Sequence, residues 1–128
     1  MKRLEKILVG VDGSEFSEKA LKQAIEIAKR FSAEVTVVNV YNIPIGQEVS
    51  QTILDKAKAV LEDAIVKFKL VSVLSPNTPK TITDMAEEEK FDLIVVGSRG
   101  MGEIKAFMLG SVSHKISVDS TVSVLIVK

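Results

Sequence analysis

Four of the seven glycines of the chain fall within one segment, residues 97–113, together with three serines. The segment directly follows an apolar run, residues 91–96, that is typical of a buried strand. Glycine has no side chain, so backbone N–H groups in such a segment can approach an anion closely and point at it. A predicted helix begins near the Gly110-Ser111 pair, and its first N–H groups and positive dipole end also attract anions. The segment therefore predicts a phosphate site.

Two common phosphate motifs do not fit this segment. A P-loop has lysine after its second glycine, where this chain has Glu103. The dinucleotide fingerprint needs a third glycine at the position of Lys105. The spacing that is present is Gly97-x2-Gly100-x9-Gly110-Ser111.

Apolar runs alternate with amphipathic stretches along the whole chain, which predicts the order βαβαβαβαβ. Strands are predicted at residues 6–11, 34–40, 71–74, 91–96 and 122–127, and helices at 14–33, 51–70, 79–90 and 111–119. This alternation predicts an α/β fold, a doubly wound five-stranded parallel sheet with helices on both faces. Ligands of such sheets bind beyond the carboxyl ends of the strands, where the winding reverses. We therefore expect the loops after the first and fourth strands to share one crevice.

Asp12 follows the first strand, and two roles are open to it. It can cap the first helix, with Glu15 completing a capping box. It can instead face the phosphates, but a carboxylate repels them unless Mg²⁺ or Mn²⁺ lies between. Ser14 and Ser17 are predicted to serve the start of the helix.

The composition limits the class of protein. The 128 residues, 46% of them apolar, predict one globular domain, residues 1–128. Basic and acidic residues balance at 17 each, so there is no basic field to attract nucleic acid. There is no cysteine, no apolar stretch near the ~20 residues that span a bilayer, and no signal-peptide pattern. We expect a cytoplasmic protein without nucleic-acid or membrane partners.

The glycine spacing after the strand "DLIVV" resembles the ATP-binding motif of the universal stress protein family. The opening "KILVGVDGSEFSEKAL" and the closing "VLIV" resemble the two ends of that family's domain. The resemblance implies a strand order of 3-2-1-4-5 and a homodimer formed through the last strand. It also implies ATP held by the loop after the fourth strand, with Gly97, Gly100 and Gly110 against the phosphates and ribose.

The resemblance implies further contacts to ATP. Asp12 would lie near the metal and the phosphates, and Val40 would offer a backbone contact to the adenine. Hydroxyl or backbone contacts to the phosphates would come from Ser111, Val112 and Ser113. Two roles remain open for Arg99: it can pair with a phosphate, or it can lie in solvent as surface arginines commonly do.

The sequence favours a binding protein over an enzyme. No P-loop lysine or evident water-positioning residue accompanies the glycines, and phosphoryl transfer needs such groups. We expect an ATP-binding stress-response protein that acts as a nucleotide-dependent switch on an unknown protein partner. The alternative is a slow ATP hydrolase or self-phosphorylating enzyme that uses Mg²⁺ and a hydroxyl such as that of Ser111. A third alternative is a structural dimer without a ligand.

Overall fold

A computed structural model of the chain describes residues 3–42, 46–100 and 110–128. Strands and helices alternate strictly through these residues. The strands are β1 (Lys6–Gly10), β2 (Glu34–Tyr41), β3 (Phe68–Leu74), β4 (Leu93–Gly97) and β5 (Ser123–Val127). The helices are α1 (Glu15–Phe31), α2 (Gly46–Ala64), α3 (Thr78–Glu88) and α4 (Ser111–Asp119).

The strands form one parallel sheet in the order β3-β2-β1-β4-β5. The chain winds outwards from β1 to β3 and then crosses back to β4, so the winding reverses between β1 and β4. The predicted α/β fold and its strand order are confirmed. The carboxyl ends of β1 and β4 are thus adjacent, and the loops that follow them open on the same side.

The two faces of the sheet are covered by different helix pairs. Residues of α1 and α2 pack on one face with Ile7 and Val9 of β1, whereas α3 and α4 pack on the other face with Leu8. All three β1 side chains are completely buried, because the central strand has a helical layer on each side. This explains why Ile7, Leu8 and Val9 form a continuous apolar run instead of alternating with polar residues.

The second helix differs from its predicted range of 51–70. α2 begins earlier, at Gly46, and ends at Ala64. Ile65 then adopts a left-handed conformation (φ 56°) with its side chain 90% exposed, and Phe68 begins β3. An apolar residue at position 68 continues the helical stripe by coincidence of spacing, which is why periodicity alone extended the helix too far.

The outer strands differ from the central one. In β5 the side chains from Val124 to Val127 are only partly buried, because this edge strand has a neighbouring strand on one side alone. Val124 and Ile126 pack on the face that α3 and α4 cover, and Leu125 and Val127 pack on the face that α1 and α2 cover. Exposed and partly buried residues also alternate along most of β3. None of the helices in the described part of the chain combines the length and apolar composition needed to cross a membrane.

Candidate functional site

A cavity of about 250 Å³ opens at the carboxyl end of the sheet, where the winding reverses. Its walls come from the ends of β1, β2 and β4, the loops that follow β1 and β4, and the first turns of α1, α3 and α4. The lining residues are Gly10, Val11, Asp12, Ser17, Val38, Val40, Thr78, Ile82, Val96, Gly97, Arg99, Gly100, Gly110, Val112 and Ser113.

Gly97 ends β4 and lies under the first turn of α1. A Cβ atom at this position would be 2.6 Å from the backbone carbon of Phe16, 2.7 Å from its oxygen and 2.8 Å from its Cβ. These are backbone atoms and the root of a side chain, so a rotamer change cannot relieve the overlap. Gly97 is therefore required by the packing of α1 on β4, in addition to lining the cavity.

Hydrogen bonds fix the backbone at both ends of the glycine segment, at Ser98 and at Gly110. Ser98 N donates to Val127 O of β5 (2.8 Å), and Gly110 N donates to Ser98 O (2.7 Å). The Ser113 hydroxyl, which is buried, donates to Gly97 O. These bonds bring the start of α4 against the end of β4, which explains the Gly-Ser pair at positions 110 and 111.

The N-terminus of α4 faces this cavity without a side-chain cap. Its N-cap position is Gly110, which makes no side-chain hydrogen bond, and His114 N donates the first intrahelical bond to Gly110 O (2.9 Å). The N–H groups of Ser111, Val112 and Ser113 precede that bond, so they remain available to a ligand or water. With the helix dipole, they give this wall of the cavity a positive character.

The loop between β1 and α1 is ordered by its own side chains. Ser14 caps α1, because its hydroxyl accepts from Ser17 N (3.1 Å). Asp12 Oδ1 accepts from Ser14 N (2.9 Å), and Asp12 N donates to the Ser17 hydroxyl (3.2 Å). The helix cap is thus Ser14, as predicted for a helix-start residue, and the capping-box role considered for Asp12 with Glu15 is wrong. Asp12 instead orders the turn and lines the cavity.

A buried asparagine fixes where this loop begins. Asn39 of β2 donates from Nδ2 to Val11 O (2.7 Å), and Val11 N donates to Val38 O (3.0 Å). The Val11 N–H bond continues the β1–β2 pairing by one residue beyond the end of β1, and the Asn39 side chain holds the carbonyl of the same residue. The position of Asp12, the next residue, is therefore set by the sheet.

The β2 side of the cavity is apolar, in contrast to the β4 side. Val38 and Val40 of β2 face Ile82 of α3 there, and Thr78, the first residue of α3, adds a hydroxyl. Asn77 is the N-cap of α3, since its side chain accepts from Lys80 N (3.2 Å). The cavity thus joins an apolar compartment to a glycine-lined wall with free N–H groups.

Most of the residues predicted for the site lie together. The cavity wall includes Asp12, Val40, Gly97, Arg99, Gly100, Gly110, Val112 and Ser113. Ser111 is not part of this wall; it is the exposed first residue of α4. Because the Ser113 hydroxyl donates to Gly97 O, its proton is not available to a phosphate, and only its N–H is free for that role.

Sequence reasoning missed the apolar compartment. Val38 is aligned with Gly10 in the parallel register, so it could have been found once the strand order was known. Thr78 and Ile82 are four residues apart on one face of α3, a spacing that only indicates a buried stripe. Their place in the cavity depends on the crossover that carries α3 over the sheet, which no local pattern reports.

Among the residues that the structure describes, the carboxylates around the cavity are too few to hold a metal ion alone. The described residues contain no cluster of three or more His, Cys, Asp or Glu side chains placed around a common point. Among the described lining residues Asp12 is the single carboxylate and Arg99 the single cation. Mg²⁺ is commonly held by one or two carboxylates together with substrate phosphates, so this donor set fits a metal that arrives with a nucleotide.

Comparison with known proteins identifies the family. Residues 3–128 match the model of the universal stress protein family. Universal stress protein YxiE of Bacillus subtilis is 34% identical, and the alignment covers 96% of this chain and 98% of that protein. Universal stress protein MJ0531 of Methanocaldococcus jannaschii is 33% identical, with 97% of this chain and 82% of that protein covered.

Solved structures agree with this assignment. A universal stress protein in complex with cAMP superposes with a TM-score of 0.82 at 26% identity, over 99% of both chains. The structure of protein MJ0577 superposes with a TM-score of 0.79 at 29% identity, over 99% of this chain and 97% of that one. The sequence match and the shared strand order are consistent over the same residues. The chain therefore belongs to the universal stress protein family.

Proposed function

We propose that this protein binds an adenine nucleotide, ATP with Mg²⁺ or Mn²⁺, in the cavity at the carboxyl ends of β1, β2 and β4. One observation carries the proposal: an apolar compartment adjoins a glycine-lined wall with the uncapped N-terminus of α4. A purine ring fits the first environment and phosphates fit the second. The relative solved with cAMP is 26% identical, which supports an adenine nucleotide as the ligand class.

Each part of the nucleotide has a proposed set of contacts. The adenine would pack between Val38, Val40 and Ile82, with the Val40 backbone reading its edge. The phosphates would meet the N–H groups at the start of α4 and the backbone around Gly100. Asp12 would hold the phosphate-bound metal, with Arg99 as the cation facing the phosphates.

Binding without turnover is the expected behaviour. Asp12 is the one described carboxylate of the cavity, and it already accepts a hydrogen bond from Ser14 N. A residue that holds a metal and orders a turn is poorly placed to activate water as well. We therefore propose a nucleotide-dependent switch that acts in a stress response through a protein partner.

We further propose that the protein forms a homodimer through β5. This strand lies at the edge of the sheet, and Val124 to Val127 are only partly buried. An apolar edge strand offers unpaired backbone groups to a second copy. Sedimentation velocity at tens of micromolar should give a dimer, and a monomer across that range would contradict this part of the proposal.

The nucleotide is tested by melting curves with ATP, AMP, cAMP and GTP, each with and without Mg²⁺. At about 100 times its Kd, a ligand that binds only the folded state stabilises it by about 2.7 kcal/mol. GTP should shift the melting temperature less, because guanine O6 replaces a donor of adenine with an acceptor. Chromatography of the ATP sample after an hour should recover intact ATP. No shift with any nucleotide would contradict binding, and many turnovers to ADP would favour the hydrolase.

A further inference from the structure

Phe16 lies beside the proposed phosphate side of the cavity, at the second position of α1. Its backbone packs against Gly97 so closely that a Cβ atom added to Gly97 would lie 2.6–2.8 Å from Phe16 atoms. The start of α1 is also fixed by the Ser14 cap. The ring of Phe16 therefore projects from a backbone that is held against the end of β4.

Two cations approach this one ring. The guanidinium carbon of Arg99 lies 5.5 Å from the ring centroid, and Lys19 Nζ lies 5.7 Å from it. Cations within about 6 Å of an aromatic face are attracted by its quadrupole. The two cations differ in one respect: Arg99 lines the cavity and Lys19 does not. Phe16 thus contacts the one described cation of the cavity without itself lining it.

We propose that Phe16 is a positioning residue for the nucleotide site, holding the Arg99 guanidinium at the cavity wall before the ligand arrives. The inference rests on the proposed nucleotide binding. A free arginine side chain loses rotamer freedom when it grips a phosphate, and that loss reduces affinity. Stacking of the Arg99 guanidinium on the fixed Phe16 ring restricts its rotamers before ATP binds, so less rotamer freedom is lost on binding. Arg99 follows Ser98, whose backbone N–H donates to Val127 O of β5, so the backbone that carries each of the two side chains is fixed.

Phe16→Leu separates this role from simple packing, because leucine keeps an apolar side chain and removes the aromatic face. ATP affinity should fall about two- to fivefold, the lower end of the range for a cation–π contact. Adenosine affinity should not change, because adenosine has no phosphate for Arg99 to meet. Phe16→Tyr, which keeps the ring, should restore ATP affinity. Lys19→Gln is the matched control, since it removes the other cation from the same ring, and it should leave both affinities unchanged.

A double-mutant cycle by calorimetry tests whether Phe16 acts through Arg99. Arg99→Gln alone should weaken ATP binding. Adding Phe16→Leu to it should cause no further loss of affinity, because the contact between Arg99 and the Phe16 ring no longer exists. An NMR measurement on the ligand-free protein completes the test. The Arg99 Nε–H resonance should carry a ring-current shift in the wild type and in Lys19→Gln, and lose it in Phe16→Leu.

The possible negative results distinguish an error in the positioning role of Phe16 from an error in the proposed nucleotide binding. Wild-type protein that binds ATP, with Phe16→Leu binding it equally well, would overturn the positioning role alone. Equal losses for ATP and adenosine in Phe16→Leu would also overturn it, because packing would then explain the effect. Additive losses in the cycle would overturn the connection to Arg99. Wild-type protein that binds no nucleotide would overturn the proposed function and this inference together.

Discussion

Replacing Gly97 by alanine tests the packing of α1 on the sheet. The added Cβ would lie 2.6 Å from the backbone carbon of Phe16, whereas carbon atoms in contact prefer about 3.5–4.0 Å. Relief requires the first turn of α1 to move, although α1 is anchored further along by buried Ala20 and Ala24. Overpacking of this kind typically costs about 1–3 kcal/mol. For a domain of this size that corresponds to a fall in Tm of roughly 3–15 °C.

Gly10→Ala is the matched control, because Gly10 ends the neighbouring strand β1 and lines the same cavity. Its new Cβ would meet Ile82 Cδ1 at 3.0 Å, the end of a flexible side chain that can move aside. We expect a cost below about 1 kcal/mol. Both variants remove the same unfolded-state freedom of glycine, about 0.4–1 kcal/mol, so this effect cancels in the comparison.

Urea denaturation of the ligand-free proteins, followed by circular dichroism, gives both free energies of unfolding. Gly97→Ala should be less stable than Gly10→Ala by about 1 kcal/mol or more, with an unchanged dependence on urea. If the two variants unfold at the same urea concentration, the close approach of Phe16 to Gly97 is not a constraint on this fold. Gly97 would then be explained by ligand contacts alone.

Three other substitutions test separate features. Gly100→Val should abolish measurable ATP binding by calorimetry while the circular dichroism spectrum stays native; unchanged affinity would remove Gly100 from the site. Asp12→Asn keeps the Oδ1 acceptor for Ser14 N but loses the charge, so ATP binding should lose most of its Mg²⁺ dependence; full dependence would leave Asp12 only its turn-ordering role. Ile65→Gly should raise the free energy of unfolding by about 0.5–1 kcal/mol, because a β-branched residue is strained at φ 56°; a less stable variant would contradict that reasoning.

The order of the sheet could be predicted from the sequence only with the help of the family resemblance. Alternation of apolar runs with amphipathic stretches indicated a parallel sheet, because strands buried on both faces read as continuous apolar segments. The end of α2 could not be predicted, since it depends on Ile65 taking a left-handed conformation without the glycine that usually signals it. Lys90 (φ 58°), shortly after α3, has the same backbone conformation without glycine.

The polar half of the candidate site was more predictable than the apolar half. Glycines and the start of α4 are local signals, readable from spacing, and they lie on one wall of the cavity. Val38, Thr78 and Ile82 are ordinary core or helix residues in sequence, and only the crossover of α3 brings them to the cavity. Gly97 was predicted to contact the phosphates or ribose, and it lines the cavity; its close approach to Phe16 is visible only in the folded structure.

An amide NMR titration with ATP and Mg²⁺ tests the proposed nucleotide site, because it reports both whether ATP binds and where it binds. We expect saturable shifts concentrated at the amides on both sides of the cavity, those of Val40, Gly97, Gly110 and Ser113. Adenosine should shift Val40 but leave Gly110 largely unchanged. A spectrum that does not change at millimolar ATP would contradict the nucleotide site. So would shifts that centre on Leu21, Ile53 and Val60, which line the neighbouring groove between α1 and α2.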